Sequence, residues 1–402
     1  MRATIKRLLS GAAGARGVAV AMGSLLALAA PTAVRAETRG FVISTFSTAT
    51  FSHPTNCKSG GNGASIDIQR RQLQRLGYSS SEIAYILQEG KDHKGRKQRE
   101  LNLMRGPGGK VVDPFNDPGA AVDPGIKLMA GRYAPGFNLD GNLATGFEDP
   151  YSGAKGIDNQ LLRVVGCFQA YDVTWPVRPF YEEVMWDTMT DTMPAWVVSV
   201  SGPNLRKDGP VTVTFDRALQ HVRRNASGGA LHDATYMLER GSRSHSVFKG
   251  TVRNGILTIA PGKLKLEGEA PIFTTLRLYR TQVSLRFKPD GSMEGFIGGY
   301  QPWLDFFYMA SSAGEGNIGL DIPGLFHSFK RLADYGPHPK TGQNMLISSA
   351  YSVVAVPAFL ATIDKKLVAT TGGIRRTTPP LVSNVPGAVK PKAEMSEEDK
   401  AK

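Results

Sequence analysis

Residues 276–287 read LRLYRTQVSLRF, and this stretch decides the fold. Apolar and polar side chains alternate along it, which is the period of a strand with one buried face. Pro289-Asp290-Gly291 then supplies turn chemistry, and Met293 to Ile297 (MEGFI) returns as a second strand. Upstream, residues 246–259 hold Asn254-Gly255 between two β-rich runs, the sequence of a type I′ hairpin. Trp196–Val200 (WVVSV) and Val211–Phe215 (VTVTF) extend the pattern backwards. Tyr351–Ile363 extends it forwards as a last strand, being too short and too interrupted by Pro357 for a membrane anchor. Gln301–Ser311 and Leu325–Leu332 read as two short helices packed on the sheet. A meander of roughly eight strands suits an antiparallel β-sandwich or a partly closed barrel.

The N-terminal part has a different texture. Residues 41–51 (FVISTFSTATF) are β-branched and aromatic and predict a strand. Ser65–Leu76 carries apolar residues on one helical face, and Ser79 with Glu82 forms a capping box before a second helix. The basic run Lys91–Arg105 (KDHKGRKQRELNLMR) is compatible with a third. Residues 106–156 are rich in Gly, Pro, Asp and Asn with little periodicity, and a loop of that length is commonly functional or ion-stabilised. The predicted class is therefore α+β, mainly β, with an N-terminal helical region and a few short packed helices. Its expected divisions are a leader at 1–36, a helical and loop-rich region at 37–172, a β-rich domain at 173–368 and a disordered tail at 369–402.

Residues 1–36 look like an export signal. Arg2, Lys6, Arg7 and Arg16 precede the apolar run VAVAMGSLLALAAPTAV of residues 18–34, with no acidic residue among them. Val34 and Ala36 are the small residues a signal peptidase reads, which places the cut before Glu37. A mitochondrial transit peptide is the competing reading, and the uninterrupted apolar centre argues against it. The chain's net charge of +13 falls to +8 once the five basic residues of this leader are removed. The remaining positive charge is dispersed, and the basic run has no aromatic residue for base stacking. Nucleic acid is therefore not an expected partner, and no integral membrane span is expected. Cys57 and Cys167 are the only cysteines, and in a periplasmic or secreted protein two thiols read as one disulfide, with a metal site as the minor alternative.

Candidate sites are few. Asn138, Asp140 and Asn142 alternate, and Asp149 falls where the last ligand of a twelve-residue calcium loop would lie, with Asp158 a further oxygen. Position one is Asn, Leu143 stands where the turn glycine belongs, and no helix flanks the loop. Asx turns are thus the alternative to calcium. A second group is FYEEVMWDTMTD, residues 180–191. As a helix it puts Glu183, Asp187 and Asp191 on one face, where like charges call for a positive partner. Glu182, Glu183 and Asp187 beside Trp186 are also the carboxylates a sugar hydrolase would use. A third set, His327, Lys330, Arg331, Asp334, Tyr335 and His338, reads first as an amphipathic surface helix. The chain has no HExxH, GxSxG or Walker loop, and its seven histidines are scattered.

Three stretches stand out together: GIDNQLLRVVGC (156–167), DGSMEGFIGGYQPW (290–303) and PKTGQNMLISSAYSVVAVPAF (339–359). They resemble uncharacterised exported proteins of proteobacteria and myxobacteria, in which a Gly-Ile/Val-Asp-Asn-Gln motif precedes a β-rich region. The resemblance implies an extracytoplasmic location and one continuous architecture, and it brings no activity.

The expected function is a non-catalytic periplasmic binding or accessory protein, for an unidentified ligand or a cell-envelope protein. The alternative is a hydrolase of a polysaccharide or cell-wall polymer that uses the carboxylates near Trp186. If residues 1–36 are a cleaved leader, N-terminal sequencing of the native protein will begin at Glu37, and an intact Met1 would refute cleavage.

Overall fold

A computed structural model describes residues 37–88, 104–105, 110–112, 117–171, 180–239, 241–268, 275–312 and 321–362. The leader, the tail from 369 and most of the basic run lie outside the described residues. Eight strands form the frame: β1 (Glu37–Thr48), β2 (Trp196–Gly202), β3 (Gly209–Arg217), β4 (Ser246–Arg253), β5 (Ile256–Ile259), β6 (Thr275–Phe287), β7 (Met293–Pro302) and β8 (Asn344–Ala361). Each pairs antiparallel with the next in chain order, and β8 pairs antiparallel with β1. The sheet is thus a closed up-and-down barrel, the barrel alternative of the sequence reading carried to full closure. β1 comes from the helical and loop-rich region, and the other seven strands follow residue 172. A short strand, Ala234–Met237, adds parallel to the end of β8, and Gly262–Glu267 and Tyr335–Pro337 extend the sheet from β6 and β8.

Local chemistry explains the meander. Asn254 (φ 51°) and Gly255 (φ 71°) both take the left-handed conformation that a type I′ turn requires, and Arg253 pairs with Ile256 across it. In β4, Phe248 and Val252 are buried while Val247, Lys249, Thr251 and Arg253 are exposed. Arg277 and Arg286 take the same outward role in β6. Apolar residues thus fill the interior and polar ones face out, the reverse of a lipid-facing barrel. No helix among the described residues is long and apolar enough to cross a membrane.

The barrel interior is packed with side chains. Phe46 lies edge-on to Trp196 at 5.1 Å and stacks on Tyr351 at 4.6 Å, and all three are fully buried. Deleting such a ring costs about 3–5 kcal/mol. Towards one end the lining turns polar: the Tyr351 hydroxyl donates to Gln301 Oε1 (3.0 Å), and Gln301 Nε2 donates to Ser349 Oγ (2.7 Å). β8 is buried on both faces because helices Gln160–Val165 and Ile322–Leu332 pack against it, which is why its sequence runs apolar instead of alternating. Ile322–Leu332 is N-capped by Asp321, whose buried carboxylate also receives Arg75 Nη2 at 3.0 Å from helix Ser65–Leu76. Val164 and Val165 close helix Gln160–Val165, which leads into Cys167.

Cys57 and Cys167 are bonded, with Cα atoms 5.7 Å apart and a sequence separation of 110. The Asn62 amide donates to the Cys167 carbonyl at 2.8 Å, so the bridge anchors the whole helical and loop-rich layer to the end of helix Gln160–Val165. A crosslink closing a loop of this length stabilises by roughly 4–5 kcal/mol on the chain-entropy model. Replacing both cysteines with serine should lower the unfolding free energy by about that amount in urea titrations. An unchanged midpoint would mean that the barrel alone sets stability.

Candidate functional site

The three stretches singled out in the sequence meet on the outer wall of the barrel. Gly156 (φ 76°) makes a sharp turn into the first of them, where a Cβ would run into the Asn142 carbonyl. The chain then places Asp158 and Asn159 at the start of helix Gln160–Val165, with the Asn159 side chain accepting from Leu162 N as N-cap. The Gln160 amide donates to Ser348 Oγ of β8 at 3.0 Å. Ser348 pairs across the ladder with Tyr300 of β7. It also donates twice to Asp334, from its amide to Oδ1 (2.8 Å) and from its hydroxyl to Oδ2 (2.6 Å). Adjacent serines thus face opposite sides of one strand, Ser349 towards the interior and Ser348 towards this site.

Tyr300 is the centre of the group. It is 2% exposed, and its ring stacks on that of Tyr335 at 4.2 Å. Burial, together with the facing charges of Asp158, Asp334 and Asp140, holds the phenol well above its ordinary range, while Arg280 pulls the other way. Arg280 arrives by an irregular route. β6 bulges between the Tyr279–Tyr300 and Gln282–Gly298 pairs, and Arg280 in the bulge has a φ of 52°. A left-handed conformation at a non-glycine residue is strained, and bulges commonly re-aim a side chain at such places. Arg280 lies 5.9 Å from the centre of the Tyr335 ring.

The carboxylates are perturbed in the same direction. Asp158 is buried and accepts from the amides of Leu139 (2.7 Å) and Asp140 (3.2 Å), yet burial and the Asp140 charge leave it raised. Asp334 is exposed as a residue, but its carboxyl is turned inward onto Ser348. Burial of that carboxyl, helped by Asp158, raises it to about 6 despite the two Ser348 hydrogen bonds. Burial is the largest cause of all three shifts, of both acids and of the phenol. The outer face continues along β7. The Phe137 ring covers Gly298, where a Cβ would lie 2.6 Å from it, and Phe296 stacks at 6.0 Å on Tyr151, which is 68% exposed.

The residues nominated from sequence fare unequally. Asn138 Oδ1 accepts from Gly141 N, Asp140 Oδ1 from Asn142 N, and Asn142 Oδ1 from Ala144 N. Asp149 Oδ1 accepts from Tyr151 N, Ser152 N and Ser152 Oγ. These side chains hold Asx-type turns. Among the described residues no three His, Cys, Asp or Glu side chains come together as a metal site. Of the calcium set, Asp158 and Asp140 belong instead to the Tyr300 group.

The acidic segment is a helix, Phe180–Asp187, continued by a π-turn over Thr188–Thr192. Its positive partner is Arg224, whose Nη2 lies 3.2 Å from Asp187 and 3.3 Å from Asp191, with the guanidinium over the Trp186 ring at 5.6 Å. Glu183 is exposed, and Glu182 lines a small pocket with Ser44, Phe46 and Trp186. No pair of these three carboxyls spans a cleft, because all come from one helix. His327 and Arg331 of the third set hold another segment in place, through Ala121 O (2.7 Å) and Asp123 (3.0 Å), whereas Asp334 and Tyr335 enter the site. Tyr300, Arg280 and Ser348 escaped notice. Ser348-Ser349 inside an apolar strand was the available signal, and the Arg280 conformation leaves none in the sequence.

No family model, no curated protein and no solved structure matches this chain.

The raised Asp334 carboxyl has a signed consequence. A folded value of about 6 exceeds the ordinary Asp value near 3.9, so the native state binds the proton more tightly than the unfolded chain does. The stability this contributes is complete below about pH 4 and is lost as pH rises through about 6. Asp334→Asn removes that dependence. Urea unfolding at a series of pH values should show wild type losing stability relative to the variant across this window, and parallel curves would refute the burial of the carboxyl.

Proposed function

We propose that the protein is an exported, non-catalytic binding protein of the cell envelope, and that its ligand is met at Tyr300 on the outer barrel wall. The carrying observation is the buried Tyr300 ring, stacked on Tyr335 beside the Ser348–Asp334 pair, where Asp158, Asp334 and Arg280 all act on it from distant parts of the chain. The filled interior supports an outer-wall site, since Phe46, Trp196 and Tyr351 occupy the space in which a lipocalin-like barrel would carry its ligand. The leader-like residues 1–36 and the disulfide favour an oxidising compartment outside the cytoplasm. The hydrolase alternative loses its original carboxylates, because Arg224 neutralises Asp187 and Asp191 and Glu182 shares their helix.

A fragment screen by two-dimensional amide NMR on residues 37–402, with sugars, amino acids, amines and carboxylic acids at millimolar concentration, tests this reading. Hits should perturb the amides around Tyr300, Ser348 and Asp334 and be recovered chemically unchanged. Perturbations confined to other faces would overturn the site, and turnover of a fragment would overturn the non-catalytic assignment.

A further inference from the structure

We infer that the aromatic patch around Tyr151 is a binding site of its own, for the pyranose rings of a neutral oligosaccharide. It shares no residue with the Tyr300 group and does not rest on the reading of that group as a ligand site.

The rings are the first argument. Between ring centres, Phe51 lies 6.0 Å from Tyr151, 6.2 Å from Tyr133 and 6.5 Å from His53. His53 meets Tyr133 at 5.4 Å, and Tyr151 stacks on Phe296 at 6.0 Å with the planes 27° apart. The five rings form one connected patch, and Tyr151, 68% exposed, presents it to water. The loops that carry the rings are tied down. Asp149 Oδ1 accepts from the Tyr151 amide (3.0 Å), Asn56 Nδ2 donates to the Phe51 carbonyl (2.6 Å), and the next residue, Cys57, is bridged to Cys167. An exposed apolar patch rimmed by polar groups marks an interaction site, and the electron-rich face of an aromatic ring receives the C–H face of a pyranose.

The floor beside the rings is the second argument. Ser47, Ser352, Phe296 and Ser284 are successive partners across β1, β8, β7 and β6, so they form one row on the outer wall. All four are half-buried, whereas their chain neighbours Phe46, Tyr351, Ile297 and Val283 are buried in the interior. At the usual strand spacing the row is about 14 Å wide. The three serine hydroxyls make no hydrogen bond to another described residue, and each can donate once and accept twice. His53 engages Thr55 Oγ1 through Nδ1 (2.7 Å), which leaves Nε2 as a further polar group at the rim. A stacking face beside a row of uncommitted hydroxyls matches a ligand with one C–H face and a hydroxylated edge.

Charge and sheet closure separate a sugar from other occupants. Arg132 pairs with Glu148, Lys288 pairs with Glu294 at 2.7 Å, and Arg286 lies opposite Glu294 across the ladder. With the Asp149 carboxylate that holds Tyr151, these three cations face three acids. A phosphate polymer or an anionic lipid surface is recognised by concentrated positive charge, which these residues do not supply. A peptide strand needs a free sheet edge, and β1, β8, β7 and β6 are each paired on both sides.

Isothermal titration and two-dimensional amide NMR of the purified protein test this, with cellotetraose and the β-linked tetramer of N-acetylglucosamine as probes. At least one tetramer should bind with a Kd of about 1 mM or tighter and perturb the amides of Phe51, Tyr133, Tyr151 and Phe296. Because the probes are neutral, a rise in salt from about 0.05 M to about 0.5 M should leave the affinity unchanged within about twofold. Tyr151→Ala and Ser352→Val should each weaken binding by about five- to tenfold, with melting temperature and circular dichroism showing an intact fold. Failure of both tetramers to bind, perturbation confined to other faces, or unaltered affinity in both folded variants would each overturn the inference. Binding of phosphatidylglycerol vesicles or single-stranded DNA in place of the tetramers, abolished by Tyr151→Ala, would also overturn it and reassign the patch. The amides of Tyr300, Ser348 and Asp334 in the same spectra report on the other site, so the two readings fail separately.

Discussion

The pairing of β8 with β1 is the constraint on which the rest of the molecule depends. Without it the meander is an open sheet with two unsatisfied edges separated by some three hundred residues of chain, and the interior has no fourth wall. With it, Phe46 from the first strand meets Tyr351 from the last and Trp196 from the second, and this aromatic contact fills the centre of the barrel. The ladder is interrupted once, at the bulge around Ser44, and it then continues in register to Thr48 and Tyr351. Closure is a non-local contact of the highest order, so its entropic cost must be met by packing instead of by turn propensity. The paired apolar faces of β1 and β8 provide that packing.

Closure also positions the site. β8 belongs to the barrel through its inner face and to the outer layer through its outer face, and the alternation of a single strand divides Ser349 from Ser348. Ser349 joins an interior network with Gln301 and Tyr351, while Ser348 binds Asp334 and receives the amide of Gln160. Helix Gln160–Val165 is in turn fastened by the Cys57–Cys167 bridge at its C-terminal end. The carboxylate of Asp158 is therefore held from two directions, by β8 at the start of the helix and by a crosslink beyond its end. Positions fixed in this way are what a preorganised binding site needs, since little ordering remains to be done when a ligand arrives.

The barrel was legible because its information is local. Alternation in 276–287, the Asn254-Gly255 turn and the Pro289-Asp290-Gly291 return each declare themselves within a dozen residues, and the structure keeps all three. Full closure was not legible, because nothing near residue 41 indicates that its partner is residue 357. The disulfide could be read by counting. The site could be read only in pieces: Asp158 entered as an ion ligand and Asp334 and Tyr335 as part of a surface helix, while Tyr300 fell between an expected strand and an expected helix. Each assignment treated sequence neighbours as spatial neighbours. In the folded chain, the Asp158 carboxylate accepts from the Leu139 and Asp140 amides, and Asp334 lies past the end of helix Ile322–Leu332. Arg280 illustrates the deeper limit, because its conformation results from one extra residue in β6 relative to β7, a mismatch that no single strand reveals.

The two acidic groups of the molecule show how a fold separates structural charge from functional charge. Glu183, Asp187 and Asp191 are the more conspicuous in sequence, being spaced along one helix. Their resolution is structural, because Arg224 bridges two of them and packs over Trp186, and Glu183 remains in water where a lone charge costs little. Asp140, Asp158 and Asp334 are scattered over almost two hundred residues and look unrelated until the barrel closes. There Arg280 is the cation that acts on the same phenol as three carboxylates, and burial pushes Asp158, Asp334 and Tyr300 all up. A protein that needed these residues only for stability would do better with apolar side chains of similar size, since replacing buried charges by hydrophobes is commonly neutral or favourable.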